Sequence, residues 1–198
     1  MLKIDLKMDI RQFLFRHRSY TPLPLLIAIL VLANPTWISF AVGIAIALTG
    51  ELLRLWGVSY AGSATRTTGE VGGDELITSG PFAHVRNPLY LGNFLLTCGF
   101  CIAAWAWMPW MLLLAIGLFA FQYGLIISLE EDFLQEKFGE AYQKYYQQVP
   151  RLIPRCRSYP FHQNRKPNLK KALRSERSTF LSFGLVTLVI LLRWQVLG

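Results

Sequence analysis

Charged residues are scarce in this sequence of 198 amino acids. Only 16% of the residues are charged, whereas 53% are hydrophobic. Soluble domains carry about a quarter of their residues as charges, so this balance predicts a membrane protein with several spans. The net charge is nevertheless +8. Because the basic residues flank apolar segments and form no extended basic face, we assign them to lipid head groups and membrane orientation, and we expect no nucleic-acid partner.

Cysteine is also rare, with three residues, which excludes a disulfide framework. Cys98 and Cys101 have C-x-x-C spacing but lie in an apolar stretch without further ligands, so we interpret them as small buried residues and expect no metal. The N-terminus lacks the pattern of a cleavable signal peptide, because acids and bases are mixed from Met1 to Arg18 and no small-residue cleavage site follows.

Five apolar segments organise the chain: residues 23–33, 37–60, 88–107, 110–129 and 179–197. Asn34-Pro35 separates the first two, and a loop rich in Gly, Ser and Thr covers residues 59–79. We predict an all-α fold, a polytopic membrane bundle of about five transmembrane helices with a cytosolic cofactor pocket. Its parts are a basic amphipathic segment (1–20), a helical membrane domain (21–155), a basic cytosolic linker (156–178) and a C-terminal transmembrane helix (179–198).

Lysine and arginine are concentrated in the N-terminal segment, the 59–88 loop and the 130–177 region. The turns after residues 33 and 104 carry none. The positive-inside rule therefore predicts a multi-pass protein with its N-terminus and site on the cytosolic side and its C-terminus outside. We expect it in the inner or plasma membrane of a prokaryote.

The stretch 78–93 places polar residues where a loop becomes an apolar helix. Gly80-Pro81 has turn chemistry, Pro88 suits the first turn of a helix, and Asn87 before it is a natural cap. Arg86, His84 and Tyr90 thus collect at a helix N-terminus near the membrane border. Such a terminus favours an anionic or carboxylate-bearing ligand.

Two acidic features lie in or beside apolar segments. Glu130 and Glu131 end the fourth apolar segment, where two acids oppose the helix dipole. An ammonium-bearing ligand would explain them, and together with the Arg86 site they could hold a zwitterion such as that of S-adenosylmethionine. Glu51 and Arg54 lie one turn apart in the second segment, as a snorkelling pair or as part of a polar pocket.

Three motifs in order resemble the isoprenylcysteine carboxyl methyltransferase family, whose C-terminal half phospholipid methyltransferases share. They are Gly80-Pro81-Phe82-x-x-Val85-Arg86-Asn87-Pro88-x-Tyr90-Leu91-Gly92, then Glu130-Glu131-x-x-Leu134-x-x-x-Phe138-Gly139-x-x-Tyr142, then Val149-Pro150-Arg151. The resemblance covers roughly residues 40–155 and leaves the C-terminal apolar segment outside.

The resemblance implies an integral-membrane methyltransferase that uses S-adenosylmethionine and takes a lipophilic substrate from the bilayer. The residues it assigns to cofactor binding are Gly80, Pro81, Val85, Arg86, Asn87, Pro88, Tyr90, Leu91, Gly92, Glu130, Glu131, Tyr142 and Arg151. For catalysis we select Glu130, Glu131 and Arg86, with a glutamate as the base where one is required.

The sequence departs from the family at two places. Asn87 stands where the family usually has histidine, and Asn cannot carry a proton at neutral pH. The isoprenylcysteine enzymes also have arginines just before the acidic pair, whereas this chain has Gly-Leu-Ile-Ile-Ser at residues 124–128. A prenylcysteine carboxylate thereby loses its partner, so we favour a lipid or another hydrophobic acceptor.

Two other functions fit parts of the pattern. Sterol-type reductases share a similar arginine–proline–tyrosine helix start but use NADPH, which needs further basic residues for its 2′-phosphate. A non-catalytic membrane scaffold or small-molecule binder would tolerate both departures. Neither the acceptor nor the oligomeric state follows from the sequence.

Overall fold

The computed structural model of the protein describes residues 9–62 and 75–197, and within them every regular element is helical. The helices are α1 (Ile10–His17), α2 (Leu23–Val31), α3 (Trp37–Ala61), α4 (Pro88–Ala104), α5 (Trp110–Gln148), α6 (Leu169–Ser175) and α7 (Arg177–Leu197), and a 3₁₀ turn covers Gly80–Ala83. All five predicted apolar segments form helices, namely α2, α3, α4, α5 and α7, so the predicted all-α bundle is confirmed. Most of the predicted 59–79 loop and the start of the N-terminal segment lie outside the described residues.

Three of the described helices, α3, α5 and α7, are long and apolar enough to cross a membrane by length and composition. The apolar helix α4 has 17 residues and α2 has 9, whereas a full span needs about 20. The chain is therefore an integral membrane protein with two shorter apolar helices beside its long ones. Only 11% of the apolar window of α7 is buried inside the protein, so α7 presents most of its surface outward.

The helices α3 and α4 pack closely along their length because glycines lie where the two backbones meet. A Cβ added to Gly43 would overlap the carbonyl oxygen of Gly99, and one added to Gly50 would overlap that of Gly92. Small residues permit such close approach between membrane helices. A Cβ on Gly92 would also overlap the side chain of Arg54. Gly92 therefore serves the α3–α4 contact.

The helix α5 has an apolar first half and a charged second half, and it changes direction at Gly139. That residue has φ 50° and ψ −123°, a conformation that glycine adopts without steric cost. Beyond it, Tyr142 and Tyr145 are buried, and the Tyr145 hydroxyl donates to the Phe82 carbonyl oxygen at 2.7 Å. Burial raises the pKa of the Tyr145 phenol, so it remains a donor at neutral pH. The end of α5 is thereby fixed to the 3₁₀ turn that precedes α4.

Apart from Trp56 in the last turns of α3, the exposed tryptophans collect at one end of the bundle, opposite the N-terminus of α4. They are Trp37 at the start of α3, Trp105 and Trp107 after α4, and Trp110 at the start of α5. Trp194 near the end of α7 packs on Trp37 with ring centroids 4.3 Å apart. Trp is typical of membrane interfaces. The helix α4 ends at Ala104, before the predicted Trp107, because Trp105 adopts a left-handed conformation with φ 49°.

The chain after α5 packs back across the start of α4, and α6 lies within the segment that the sequence suggested as a linker. Four backbone hydrogen bonds fix this return: Arg86 N–H to Pro150 C=O at 2.9 Å, Arg155 N–H to His84 C=O at 3.0 Å, Tyr159 N–H to Ala83 C=O at 2.8 Å, and Asn168 N–H to Ser59 C=O at 2.7 Å. These contacts bring the beginning of α7 next to the N-terminal end of α4.

Candidate functional site

A cavity of about 630 Å³ opens at the N-terminal end of α4, between α3, α4, α5 and the start of α7. Its size lies within the range of about 300–1,000 Å³ that is typical of ligand sites. The charged groups on its wall come from several elements and are Arg18, Arg54, Glu75, Arg86, Glu130, Glu131 and Glu176. A charged wall at the end of an apolar bundle indicates a binding site, because such groups are costly near a membrane unless they have partners or ligands.

At one side of this cavity, two arginines hold one carboxylate. The Arg86 Nη2 donates to Glu131 Oε1 at 2.8 Å, and Arg151 donates through Nε to the same oxygen at 3.1 Å and through Nη2 to Oε2. The hydrogen bonds that Arg151 donates to Glu131 raise the pKa of Arg151. With two positive charges and one negative charge, this group, which we call the Arg86 cluster, has a net positive charge.

The position of Arg86 follows from its other contacts. Its Nη1 donates to the carbonyl oxygens of Tyr146 and Val149, each at 2.7 Å, and its guanidinium carbon lies 4.0 Å from the Tyr146 ring centroid. Carbonyls at the end of a helix lack intrahelical partners and attract cations. Arg86, two residues before α4, thus binds both the middle and the end of α5, and it joins the second and third sequence motifs.

The adjacent Glu130 has a different environment from Glu131. The Tyr90 hydroxyl donates to Glu130 Oε1 at 2.6 Å, and both residues line the cavity. The Tyr90 ring packs on Tyr123 with centroids 4.9 Å apart. Since Glu131 is bound by two cations and Glu130 by one neutral hydroxyl, Glu130 is the acid with capacity left for a ligand.

Asn87 is the residue before α4, but its side chain does not cap the helix, so our expectation of a capping Asn was wrong. Its backbone has φ −123° and ψ 60°, and its side-chain amide donates to the Arg151 carbonyl oxygen at 3.1 Å. The first-turn amides of α4 therefore keep their capacity for a ligand. His84 lies outside the cavity lining, with its Nδ1 2.9 Å from the Arg155 carbonyl oxygen.

A second charged group lies deeper in the bundle and lines the same cavity through Arg54, Asn93 and Glu176. Arg54 Nη2 donates to Glu176 Oε2 at 2.7 Å, and its Nη1 donates to Asn93 Oδ1. Arg54 Nε lies 3.8 Å from Glu51 Oε2. Glu51 and Glu176 are each 1% exposed. This group, which we call the Arg54 cluster, has two carboxylates for one guanidinium.

The structure brings together only some of the residues selected from the sequence. Those that line the cavity are Arg86, Asn87, Pro88, Tyr90, Glu130, Glu131 and Tyr142. Arg151 reaches the site through Glu131. Gly80, Pro81, Val85, Leu91 and Gly92 lie outside the lining, and of these Pro81 and Val85 are buried in the turn before α4. Apart from Pro88, the small and apolar positions of the first motif thus shape the backbone, whereas its polar positions line the cavity.

Asn93, Tyr123 and Glu176 are among the polar residues of the wall that sequence reasoning did not select. Asn93 and Tyr123 are joined by a 3.2 Å hydrogen bond. A signal was present, because polar residues inside apolar helices usually face a cavity or a partner. For Glu176 the signal was its position as the only acid between residues 156 and 178.

The fold and the cavity define an all-helical membrane protein with a polar site at one end of its bundle. The chain belongs to the phospholipid methyltransferase family, whose model matches residues 38–141, just over half of the chain. The matched region contains Arg54, Arg86, Glu130 and Glu131, but it ends before Arg151 and Glu176.

Several curated proteins are similar to this chain. A nickel-cobalt-cadmium resistance protein, NccN, of Alcaligenes xylosoxydans xylosoxydans is 30% identical over 135 residues, which are 62% of this chain and 54% of the relative. A protein-S-isoprenylcysteine O-methyltransferase of Tribolium castaneum is 31% identical over 134 residues, 62% of this chain and 44% of the relative. A steroid 5-alpha-reductase, DET2, of Solanum lycopersicum is 31% identical over 114 residues, 54% of this chain and 40% of the relative.

The chain thus spans about half or less of the length of these relatives. No solved structure matches it significantly.

Proposed function

We propose that this protein is a membrane methyltransferase that transfers a methyl group from S-adenosylmethionine to a lipophilic acceptor from the bilayer. The observation that carries the proposal is the placement of Arg86, Glu131, Tyr90 and Glu130 on one cavity at the N-terminus of α4. All four lie within the residues that match the phospholipid methyltransferase model. The similarity to isoprenylcysteine methyltransferases of two organisms supports the same reaction class.

The chemistry of the cavity wall fits the amino-acid part of S-adenosylmethionine. The first-turn amides of α4 and the guanidinium of Arg86 attract a carboxylate. Glu130 offers an anionic partner for an ammonium group. Phe133 and Leu134 add apolar surface to the same wall, which suits the remainder of a nucleoside-sized ligand. The residues present therefore match both charges of the zwitterion.

In this proposal Glu131 is a positioning residue. Both of its oxygens are bound by arginines, so it fixes Arg86 and links the start of α4 to the segment after α5. Arg86 and Tyr90 would contact the ligand, and Tyr142 closes the wall behind Glu131. All four residues were selected from the sequence. The structure supports a positioning role for Glu131 and a ligand-contacting role for Arg86 and Tyr90.

When bound, S-adenosylmethionine supplies a methyl carbon on a cationic sulfur, which an acceptor lone pair attacks while the carbon–sulfur bond breaks and its electrons return to sulfur. The protein's own contribution is to align the acceptor and to exclude water, and alignment can lower a barrier by about 7–11 kcal/mol. Where the acceptor atom carries a proton, Glu130 is the nearest available base, because Glu131 is already paired.

We further propose that the cavity faces the cytosol of a prokaryotic inner or plasma membrane. Five of the six tryptophans lie at the opposite end of the bundle, and lysine and arginine are concentrated at the cavity end. The positive-inside rule assigns that end to the cytosol. Cytosolic exposure would also give the cavity access to a soluble cofactor.

Calorimetric titration of the detergent-purified protein with S-adenosylhomocysteine, and with NADPH in parallel, tests the proposal. We expect saturable binding of the first ligand only. The variant Glu130→Gln should bind it about tenfold more weakly because an ionic partner is lost, whereas the exposed Glu140→Gln should bind it normally. Binding of NADPH alone would assign a reductase, and binding of neither ligand by well-folded protein would favour a scaffold.

A further inference from the structure

A second, apolar pocket lies beside the polar cavity. It has a volume of about 190 Å³ and lies between α2, α4 and α7, with Leu25, Ile29, Phe100 and Phe183 among its lining residues. We call it the α2–α7 crevice. Pro22, Leu96, Thr97 and Thr179 line both the crevice and the polar cavity. The two spaces are therefore neighbours that share a wall, one apolar and one charged.

The start of α7 connects the two spaces. Glu176, the residue before α7, lines the polar cavity and binds Arg54, while Thr179 lines both spaces. One helical turn further, Ser182 lines the crevice and is exposed on the outer surface of the bundle. Since most of the apolar surface of α7 faces outward, the crevice opens towards the bilayer. A chain in the crevice would thus run from the bilayer towards Arg54.

The charges of the Arg54 cluster limit the head group that could follow such a chain. Glu51 and Glu176 give two carboxylates for the single guanidinium of Arg54, and among the described residues neither Glu51 oxygen has a hydrogen-bond partner. Glu51 lies outside the cavity lining, so the carboxylate of this cluster that a ligand would meet is that of Glu176, and a buried carboxylate favours a ligand group that donates hydrogen bonds. An anionic head group would instead meet like charge.

We propose that the α2–α7 crevice holds the apolar chain of the methyl acceptor, and that the Arg54 cluster holds its hydrogen-bond-donating, non-anionic head group. This inference rests on the proposed function, because it names the second substrate of the same cavity. Glu176 and α7 lie outside the residues that match the family model. Arg54 and Glu51 lie within that match, and Glu176 is the positioning residue of the acceptor site.

Photo-crosslinking tests the crevice without requiring activity. The probes are two single-chain amphiphiles with the same diazirine-bearing chain, one ending in an alcohol and the other in a carboxylate, and the labelled peptides are identified by mass spectrometry. We expect the alcohol probe to label peptides of α2 and α7. Labelling by the carboxylate probe should be weaker by at least about tenfold because of the excess negative charge.

Two tryptophan variants of α7 separate the crevice from the rest of the helix. Ser182→Trp fills the mouth and should reduce alcohol-probe labelling at least about tenfold, as expected for steric exclusion from an apolar pocket. Gly184→Trp adds the same bulk at an exposed position where an added Cβ meets no neighbour. The alcohol probe should label this variant as strongly as it labels the parent protein. Both variants should bind S-adenosylhomocysteine like the parent protein. Should Ser182→Trp not fold, Ser182→Leu tests the same mouth.

Equal labelling of the two tryptophan variants would overturn the assignment of the crevice, whatever the cofactor result. Glu176→Gln tests the head-group assignment: we expect it to lower the ratio of labelling by the alcohol probe to labelling by the carboxylate probe. An unchanged preference would remove Glu176 from the acceptor site. If instead the parent protein labels as expected but binds no S-adenosylhomocysteine, the proposed function fails while the crevice remains a binding site.

Discussion

The Arg86 cluster and the Arg54 cluster are built from the same residue types in opposite proportion. The first has two arginines for one glutamate, and the second has two glutamates for one arginine. Both line one cavity. In each cluster two charged members lie within the family model match, and one member, Arg151 or Glu176, lies outside it. The cavity therefore has two sides of opposite charge, which in our proposals hold the cofactor and the acceptor respectively.

The largest effect is expected from breaking the Arg86 cluster at its centre. Glu131→Ala leaves two arginines without their shared carboxylate, and removing one partner of a buried ion pair typically costs about 3–5 kcal/mol. We expect the bundle to remain folded, since α3 and α4 pack independently of Glu131, while S-adenosylhomocysteine affinity falls more than about tenfold. Calorimetry and thermal unfolding measure both effects. The neighbouring Asp132→Ala, whose side chain is 67% exposed, is the matched control, and equal affinities would exclude Glu131 from the site.

The two arginines of this cluster should differ in importance. The side chain of Arg86 is 8% exposed, whereas that of Arg151 is 42% exposed. Arg86→Ala should therefore reduce cofactor affinity and melting temperature strongly. Arg151→Ala should cost about 1 kcal/mol or less, because exposed ion pairs contribute little. Added salt should weaken only the Arg151 contribution, and the opposite ranking would contradict the described geometry.

A smaller effect is expected from Tyr90, which belongs to neither cluster and binds Glu130 on the wall of the same cavity. Tyr90→Phe removes a 2.6 Å hydrogen bond to a carboxylate, a contact worth about 1.5–3 kcal/mol. We expect methyl transfer to slow by roughly tenfold or more while S-adenosylhomocysteine still binds. Tyr20→Phe, at an exposed tyrosine, should leave the rate unchanged. Transfer at the parent rate in Tyr90→Phe would show that Glu130 needs no orientation by this hydroxyl.

The smallest effect is expected at the position where the sequence departs from its family. Asn87→His keeps a ring N–H that can donate to the Arg151 carbonyl oxygen, as the Asn87 amide does. Because Asn87 does not cap α4, cofactor affinity should stay within about threefold of the parent value. Loss of folding in this variant would show that the turn before α4 accepts no larger side chain.

The helices could be predicted because apolar length and turn chemistry are local properties. Pro88 set the start of α4, and Gly139 marked the change of direction in α5. The Arg86 cluster was predicted as a set of residues through the motifs, but its pairing was not, since the sequence gives no sign that both arginines select Glu131. The role of Arg54 also needed the fold, because its closest carboxylate is 122 residues away in Glu176 rather than one turn away in Glu51.

The glycine contact between α3 and α4 has a consequence for how the cavity can open. Two helices whose backbones touch at Gly43–Gly99 and Gly50–Gly92 have no side chains between them to rearrange, so they move as one rigid body. Arg54 on α3 and the first turn of α4 therefore keep a fixed separation. Opening of the cavity therefore cannot come from separation of α3 and α4. The other walls, which include α7, the part of α5 beyond Gly139 and the chain at Arg18 and Pro22, pack against this rigid frame.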